Sequence, residues 1–162
     1  MSDTLQWLEY DTHNCSIQRT LEVIGEKWTI LVLREAFNGV RRFDQIRNHV
    51  GVSDPILSDR LHKLVAQGVL EASPYREPGR RTRNEYRLTQ KGRDLYPVMI
   101  ALLRWGDRYQ ADSAGPSVEV THRDCGAPVE AMVQCARGHR LDSATDGQVA
   151  AGPGARFVQR EA

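Results

Sequence analysis

Three cysteines in 162 residues are too few for a disulfide framework, and no apolar run approaches membrane-spanning length. The first residues lack the basic and apolar regions of a signal peptide, so a cytoplasmic protein with no membrane partner is expected. There is no glycine-rich phosphate loop, no nucleophile elbow and no paired-carboxylate spacing, and the five histidines are scattered. His13 lies close to Cys15, but no third group can be named to orient a thiol–imidazole couple. These absences argue against an enzyme and against a resident cofactor. What remains, 40% hydrophobic and 27% charged, suits one compact domain with appendages.

The informative stretch is residues 42–64, RFDQIRNHVGVSDPILSDRLHKL. Phe43, Ile46 and Val50 recur at helical spacing, and Leu57, Leu61 and Leu64 do so again at i, i+4 and i+7. Between the two amphipathic pieces, Gly51 can take the left-handed conformation that ends a helix. Ser53 is placed to accept from the first-turn amides of the next helix, and Pro55 falls where its missing N–H costs little. Two short helices joined in this way predict a helix-turn-helix. The apolar stripe of the second leaves Pro55, Ser58, His62 and Lys63 facing a DNA groove, with Arg60 placed for phosphate.

Residues 69–73 and 84–88 read as paired strands, and the tip between them carries Arg76, Arg80, Arg81 and Arg83 against Glu77 alone. A helix-turn-helix followed by a basic-tipped hairpin is the winged form. The helix enters the major groove while Arg42 and the tip arginines Arg80, Arg81 and Arg83 meet phosphates or the minor groove. The charge distribution agrees. Residues 41–93 hold twelve Lys and Arg against six Asp and Glu, a balance of +6 that leaves the remainder of a +1 chain at −5. A localised basic footprint of this kind gives salt-dependent affinity for a polyanion, here double-stranded DNA.

In chain order, residues 1–14 form an N-terminal tail in which Leu5, Trp7, Leu8 and Tyr10 are expected to pack on something. Ile17, Leu21 and Ile24 make the stripe of a first helix that Gly25 ends. A second helix over about 27–37 is expected to bury Trp28, Leu31, Val32 and Ala36, with Gly39 closing it. After the wing, Thr89 caps a long C-terminal helix carrying Leu95, Val98, Met99, Leu102, Leu103 and Tyr109 on one side, bent or broken at Pro97. Residues 15–111 are thus expected to form the DNA-binding domain. Residues 112–162 are an extension, with a linker at 113–117, a hairpin and then a Gly/Ala-rich tail from 143 that is poorly ordered or lightly docked. His122, Cys125, Cys135 and His139 offer two nitrogens and two sulfurs to a structural zinc, although a plain hairpin is the preferred reading. A Cys125–Cys135 disulfide is disfavoured by a reducing compartment.

The run NCSIQRTLEVIGEKWTILVLREAFNGVRRFDQIRNHVGVSDPILSDRLHKLVAQGVLE, followed by YRLTQKGRDL, resembles the HxlR-type family of bacterial winged helix-turn-helix transcriptional regulators. IGEKWTILVLRE, RRFDQIR, LSDRLHKL and YRLTQKGRDL carry the resemblance, which spans about residues 15–109. It implies an α+β winged helix-turn-helix with N-terminal and long C-terminal dimerisation helices. It also implies a homodimer, most often a repressor, on a roughly palindromic operator, with Leu102, Leu103, Trp105 and Tyr109 as dimer contacts. Two half-sites about one turn apart double the contacts of a small basic surface.

In several members of that family a cysteine at the position of Cys15 senses oxidants or electrophiles, and its modification changes the dimer and releases DNA. A helix start with Arg19 one turn on is compatible with such a thiol. This chain departs from the family in having Cys15-Ser16 where Cys-Pro is usual, and in carrying Asp54 and Asp59 on the recognition helix. Two other readings stand beside the redox switch. In one, a small-molecule effector sits among Trp28, Phe37, Trp105 and Tyr109 and the thiol is inert; in the other, the winged helix is a protein-interaction module.

Overall fold

The computed structural model describes residues 9–79 and 81–157. Its elements run α1 (Ser16–Ile24), α2 (Lys27–Phe37), α3 (Phe43–Val50), α4 (Asp54–Ala66), β1 (Leu70–Tyr75), β2 (Arg83–Leu88), α5 (Gln90–Arg93) and α6 (Tyr96–Tyr109). The chain divides into two compact units, one from residues 27–132 and one from the chain ends, up to Glu26 and from Val133. The larger unit includes residues 120–129 because they are tied to α6.

In the larger unit the core is built from Val32 and Leu33 of α2, Ile46 of α3, Leu57, Leu61 and Leu64 of α4, Val69 and Leu70 at the start of β1, and Ile100 of α6. Burying aliphatic side chains of this size stabilises the fold by about 1.5–3 kcal/mol each relative to exposure. The stripe expected on α2 is shifted: Trp28, Leu31 and Ala36 are half-buried, while Thr29, Leu33 and Glu35 are buried. Glu35 is tolerated there because it is paired. Its carboxylate accepts from Arg34 Nε at 2.8 Å and lies 2.6 Å from His49 Nδ1, tying α2 to the last turn of α3.

β1 and β2 pair antiparallel from Leu70–Leu88 out to Tyr75–Arg83, so the strands run further toward the tip than the sequence suggested. A single bridge from Arg42 to Glu85, with Tyr86 N–H donating to Arg41 C=O at 2.9 Å, lays the residues before α3 against β2. The predicted long C-terminal helix is two helices. The Thr89 hydroxyl caps the first, accepting from Gly92 N–H at 3.1 Å, and the chain breaks at Asp94–Leu95 before Pro97 enters the first turn of α6. Of α6, only Ile100 is buried; Val98, Leu102 and Tyr109 stay exposed.

Beyond α6, His122 N–H donates to Ala127 C=O and Val129 N–H to Val120 C=O, closing a tight turn. The Arg104 guanidinium fastens it to α6, donating to Val129 C=O at 2.7 Å and Val120 C=O at 3.3 Å. Residues 129–134, within the segment expected as a hairpin, form no strand.

The smaller unit joins the chain ends. Tyr10 bridges Phe157 with ring centroids 5.0 Å apart, Asp11 N–H donates to Arg156 C=O, and Asn14 Nδ2 donates to Gly154 C=O at 2.8 Å. The Gly/Ala-rich tail is thereby docked through residues 154–157. Leu5, Trp7 and Leu8 lie outside the described residues. On α1, Ile24 is buried but Ile17 and Leu21 are 71% and 55% exposed, so the expected stripe is largely uncovered.

Candidate nucleic-acid interface

The turn between α3 and α4 is made by Gly51, whose φ of 73° and ψ of 34° place it in the left-handed region while its N–H caps Arg47 C=O. Val52 is buried beneath the turn. Ser53 is the N-cap of α4 by position, yet its hydroxyl makes no capping bond. With Pro55 second in the helix, one of the amides a cap would serve does not exist. Because α4 turns Leu57, Leu61 and Leu64 inward, Ser53, Pro55, Ile56, Asp59 and His62 are exposed, and Ser58, Arg60 and Lys63 lie half-buried at the edges.

Both acids that seemed out of place on this helix have local partners. Arg47 Nη1 donates to Asp54 Oδ1 at 3.2 Å across the turn, and Arg60 Nη1 lies 3.4 Å from Asp59 Oδ2. The Arg60 side chain is only 18% exposed, which makes it a poorer phosphate contact than its sequence position suggested.

At the wing, the side chains of Arg76, Arg81 and Arg83 are exposed and make no hydrogen bond or ion pair among the described residues. Arg80 lies outside the described residues. Arg87 is turned to Glu85 at 2.6 Å and Arg42 to Glu77 at 2.6 Å. Between the wing and the start of α3 opens a cleft of about 580 Å³, lined by Phe43, Asp44, Arg47, Asp54, Tyr75, Arg83, Asn84 and Tyr86. Burial raises the Tyr86 phenol above its ordinary pKa.

The remaining predicted residues are dispersed. Cys15 is half-buried at the N-cap of α1 and makes no capping bond. His13 points to Asp11, with Nδ1 2.6 Å from Oδ1; its backbone N–H and then its ring hold the Asp11 carboxyl below the ordinary value. On α6, Leu102, Trp105 and Tyr109 are exposed with Leu103 half-buried, and the Trp105 and Tyr109 rings meet at a tilt with centroids 5.4 Å apart. Phe37 makes its tilted ring contact with Tyr96 instead. Cys125 Sγ is 3.3 Å from His122 Nδ1, and Cys135 and His139 share a separate tight turn closed by Cys135 N–H to His139 C=O. Among the described residues, no group of three or more His, Cys, Asp or Glu is arranged to hold a metal ion.

Sequence reasoning missed Ile56, an exposed apolar side chain on the outward face of α4, and the Arg47–Asp54 link. Ile56 is one position off the 57, 61, 64 stripe, and that offset was the available signal.

A helix-turn-helix whose second helix has a free outward face, followed by a hairpin with uncompensated arginines, defines a winged helix-turn-helix transcriptional regulator of α+β fold. The chain belongs to the HxlR-like helix-turn-helix family, whose model matches residues 23–114. It is 41% identical over 142 residues to the uncharacterized HTH-type transcriptional regulator Rv3095 of Mycobacterium tuberculosis, covering 88% of this chain and 87% of that one. It is 31% identical to the HTH-type regulator YdeP of Bacillus subtilis over 62% of this chain and 77% of the relative. Among solved structures, PA1607, described as a candidate transcription factor, is similar with a TM-score of 0.75 and 37% identity over 85% of this chain and 95% of that chain. The redox regulator HypR in its oxidised form is similar with a TM-score of 0.54 and 27% identity over 60% of this chain and all of HypR. The relatives are transcriptional regulators rather than enzymes, and among the described residues no helix is long and apolar enough to cross a membrane.

Proposed function

We propose that the protein is a cytoplasmic homodimeric repressor that binds a roughly palindromic operator, with residues 15–111 forming the DNA-binding and dimerisation domain. The observation that carries this reading is the pairing of an open α4 face with the uncompensated Arg76, Arg81 and Arg83 on the wing. Ser53, Pro55, Ser58, His62 and Lys63 face the major groove. Ile56 is suited to packing on a thymine methyl group. Arg81 and Arg83, with Arg80, meet phosphates or the minor groove. Dimerisation is supported by the exposed Leu102, Trp105 and Tyr109 of α6, and separately by the exposed Ile17 and Leu21 of α1.

Cys15 is the proposed switch, an oxidant or electrophile being the effector. The similarity to HypR, a redox regulator, and the position of Cys15 at a helix start support this reading. The test is a salt titration of binding to the DNA upstream of the protein's own gene, with reduced protein, diamide-treated protein and a Cys15→Ser variant. Tight, salt-sensitive binding that oxidation abolishes in the wild type and spares in Cys15→Ser is expected. Release that survives Cys15→Ser removes the switch from Cys15, and salt-insensitive binding removes the phosphate contacts.

A further inference from the structure

The wing tip carries one acid, Glu77, among its arginines, at a place where negative charge opposes binding to a polyanion. Its neighbours give it a purpose. Arg42 Nη1 donates to Glu77 Oε1 at 2.6 Å, and the same guanidinium lies over the Tyr75 ring with Cζ 4.7 Å from the centroid. Arg42 stands at the N-cap of α3 in extended conformation, and its backbone bridges Glu85 of β2. One residue therefore touches the base of the helix-turn-helix, the middle of β2, the last residue of β1 and the tip loop.

Apolar burial does not supply that hold. Within β1 and β2 only Leu70, at the end far from the tip, is buried. An isolated two-stranded hairpin is marginal in water, so the angle of its outer half depends on what fastens it. The planar Arg42 fork, which can pair with a carboxylate and stack on a ring at once, is the fastening at hand.

We infer that Arg42 is a positioning residue rather than a phosphate contact: with Glu77 and Tyr75 it sets where the wing arginines Arg81 and Arg83 meet DNA. This rests on the proposed reading of the wing as a DNA contact. It makes Glu77 an acid that promotes DNA binding.

The test measures affinity for mixed-sequence duplex DNA at low salt, which needs no knowledge of the operator. The proteins are the wild type, Arg81→Ala, Glu77→Gln, Arg42→Lys and the Glu77→Gln/Arg42→Lys double variant. Thermal unfolding confirms that each is folded, and because the pair is half-exposed its loss should barely move the midpoint.

Simple charge counting has Glu77→Gln bind more tightly and Arg42→Lys bind as well as the wild type. The positioning role has both weaken binding by about two- to fivefold, with the double variant no worse than either single one, because both break the same contact. Tighter binding by Glu77→Gln, or additive losses in the double variant, overturns the inference. The Arg81→Ala protein separates the two layers. If it binds like the wild type, the wing is not on DNA and the parent reading fails. If it binds more weakly while Glu77→Gln binds more tightly, only the positioning role fails.

Discussion

Leu57, Leu61 and Leu64 on α4 are at most 1% exposed, whereas the hairpin that follows has only Leu70 buried along both of its strands. The recognition helix is held by oil and the wing by polar contacts. Thr89 Oγ1 donates to Gly68 C=O at 2.6 Å and accepts from Gly92 N–H, Lys91 Nζ donates to Gln67 C=O at 2.7 Å, and Arg42 spans the outer half. Burial is non-directional and tolerates compensation, while hydrogen bonds fix an angle and are lost singly. One element is thus given a stable seat and the other an adjustable one.

The sharpest way to break this contrast is to make the helix as weakly held as the hairpin. Leu61→Ala removes a side chain that is 1% exposed and leaves a cavity between α4 and its neighbours. The expected loss is about 2–5 kcal/mol, read from chemical unfolding, with DNA affinity falling because less protein is folded. A loss below about 1 kcal/mol would mean that α4 can collapse onto the gap and that its seat is no firmer than the wing's.

The same contrast decides what could be read in advance. The inward face of α4, the left-handed turn at Gly51, the Pro55 position and the Thr89 cap were legible because periodicity and local backbone chemistry are written in adjacent residues. Glu35 was not: an acid inside an apolar helix gives no sign that His49 and Arg34 will meet it. Nor did the tip arginines reveal that Arg42 is already engaged, since the partner, Glu77, is 35 residues away. Pairings across distance follow from the fold and leave no local pattern. The site was legible as a region, and the division of its cations into engaged and free was not.

Gly92 is the next test, at the joint between the two regions. It sits in α5 in ordinary helical conformation, so backbone freedom is not why glycine is there. A Cβ at this position would stand 2.2 Å from Val69 C=O and 2.9 Å from Leu88 Cδ2. Val69 C=O accepts from Thr89 N–H, so Gly92→Ala pushes against a hydrogen bond that anchors the base of the wing. The expected destabilisation is about 1–3 kcal/mol, smaller than at Leu61 because the joint can open without emptying the core. Amide exchange should quicken at residues 69 and 89 ahead of residues in α4. Equal quickening throughout would show the helix and hairpin opening as one unit, and the contrast drawn above would fail.

The smallest effect concerns the wing's partly covered inner side. Burial raises the Tyr86 phenol from its ordinary value of 10.0, so the folded chain holds that proton more tightly than the unfolded chain does. The stability linked to it is fully present below pH about 10 and falls away as pH climbs through the folded value. Tyr86→Phe keeps the ring and cannot ionise, so its unfolding midpoint should decline less steeply than that of the wild type once pH passes 10. The phenol is half-exposed, which keeps the difference modest. Parallel decline of the two proteins would mean that the phenol is as hydrated folded as unfolded, leaving the hairpin with even less burial than the comparison with α4 assigns to it.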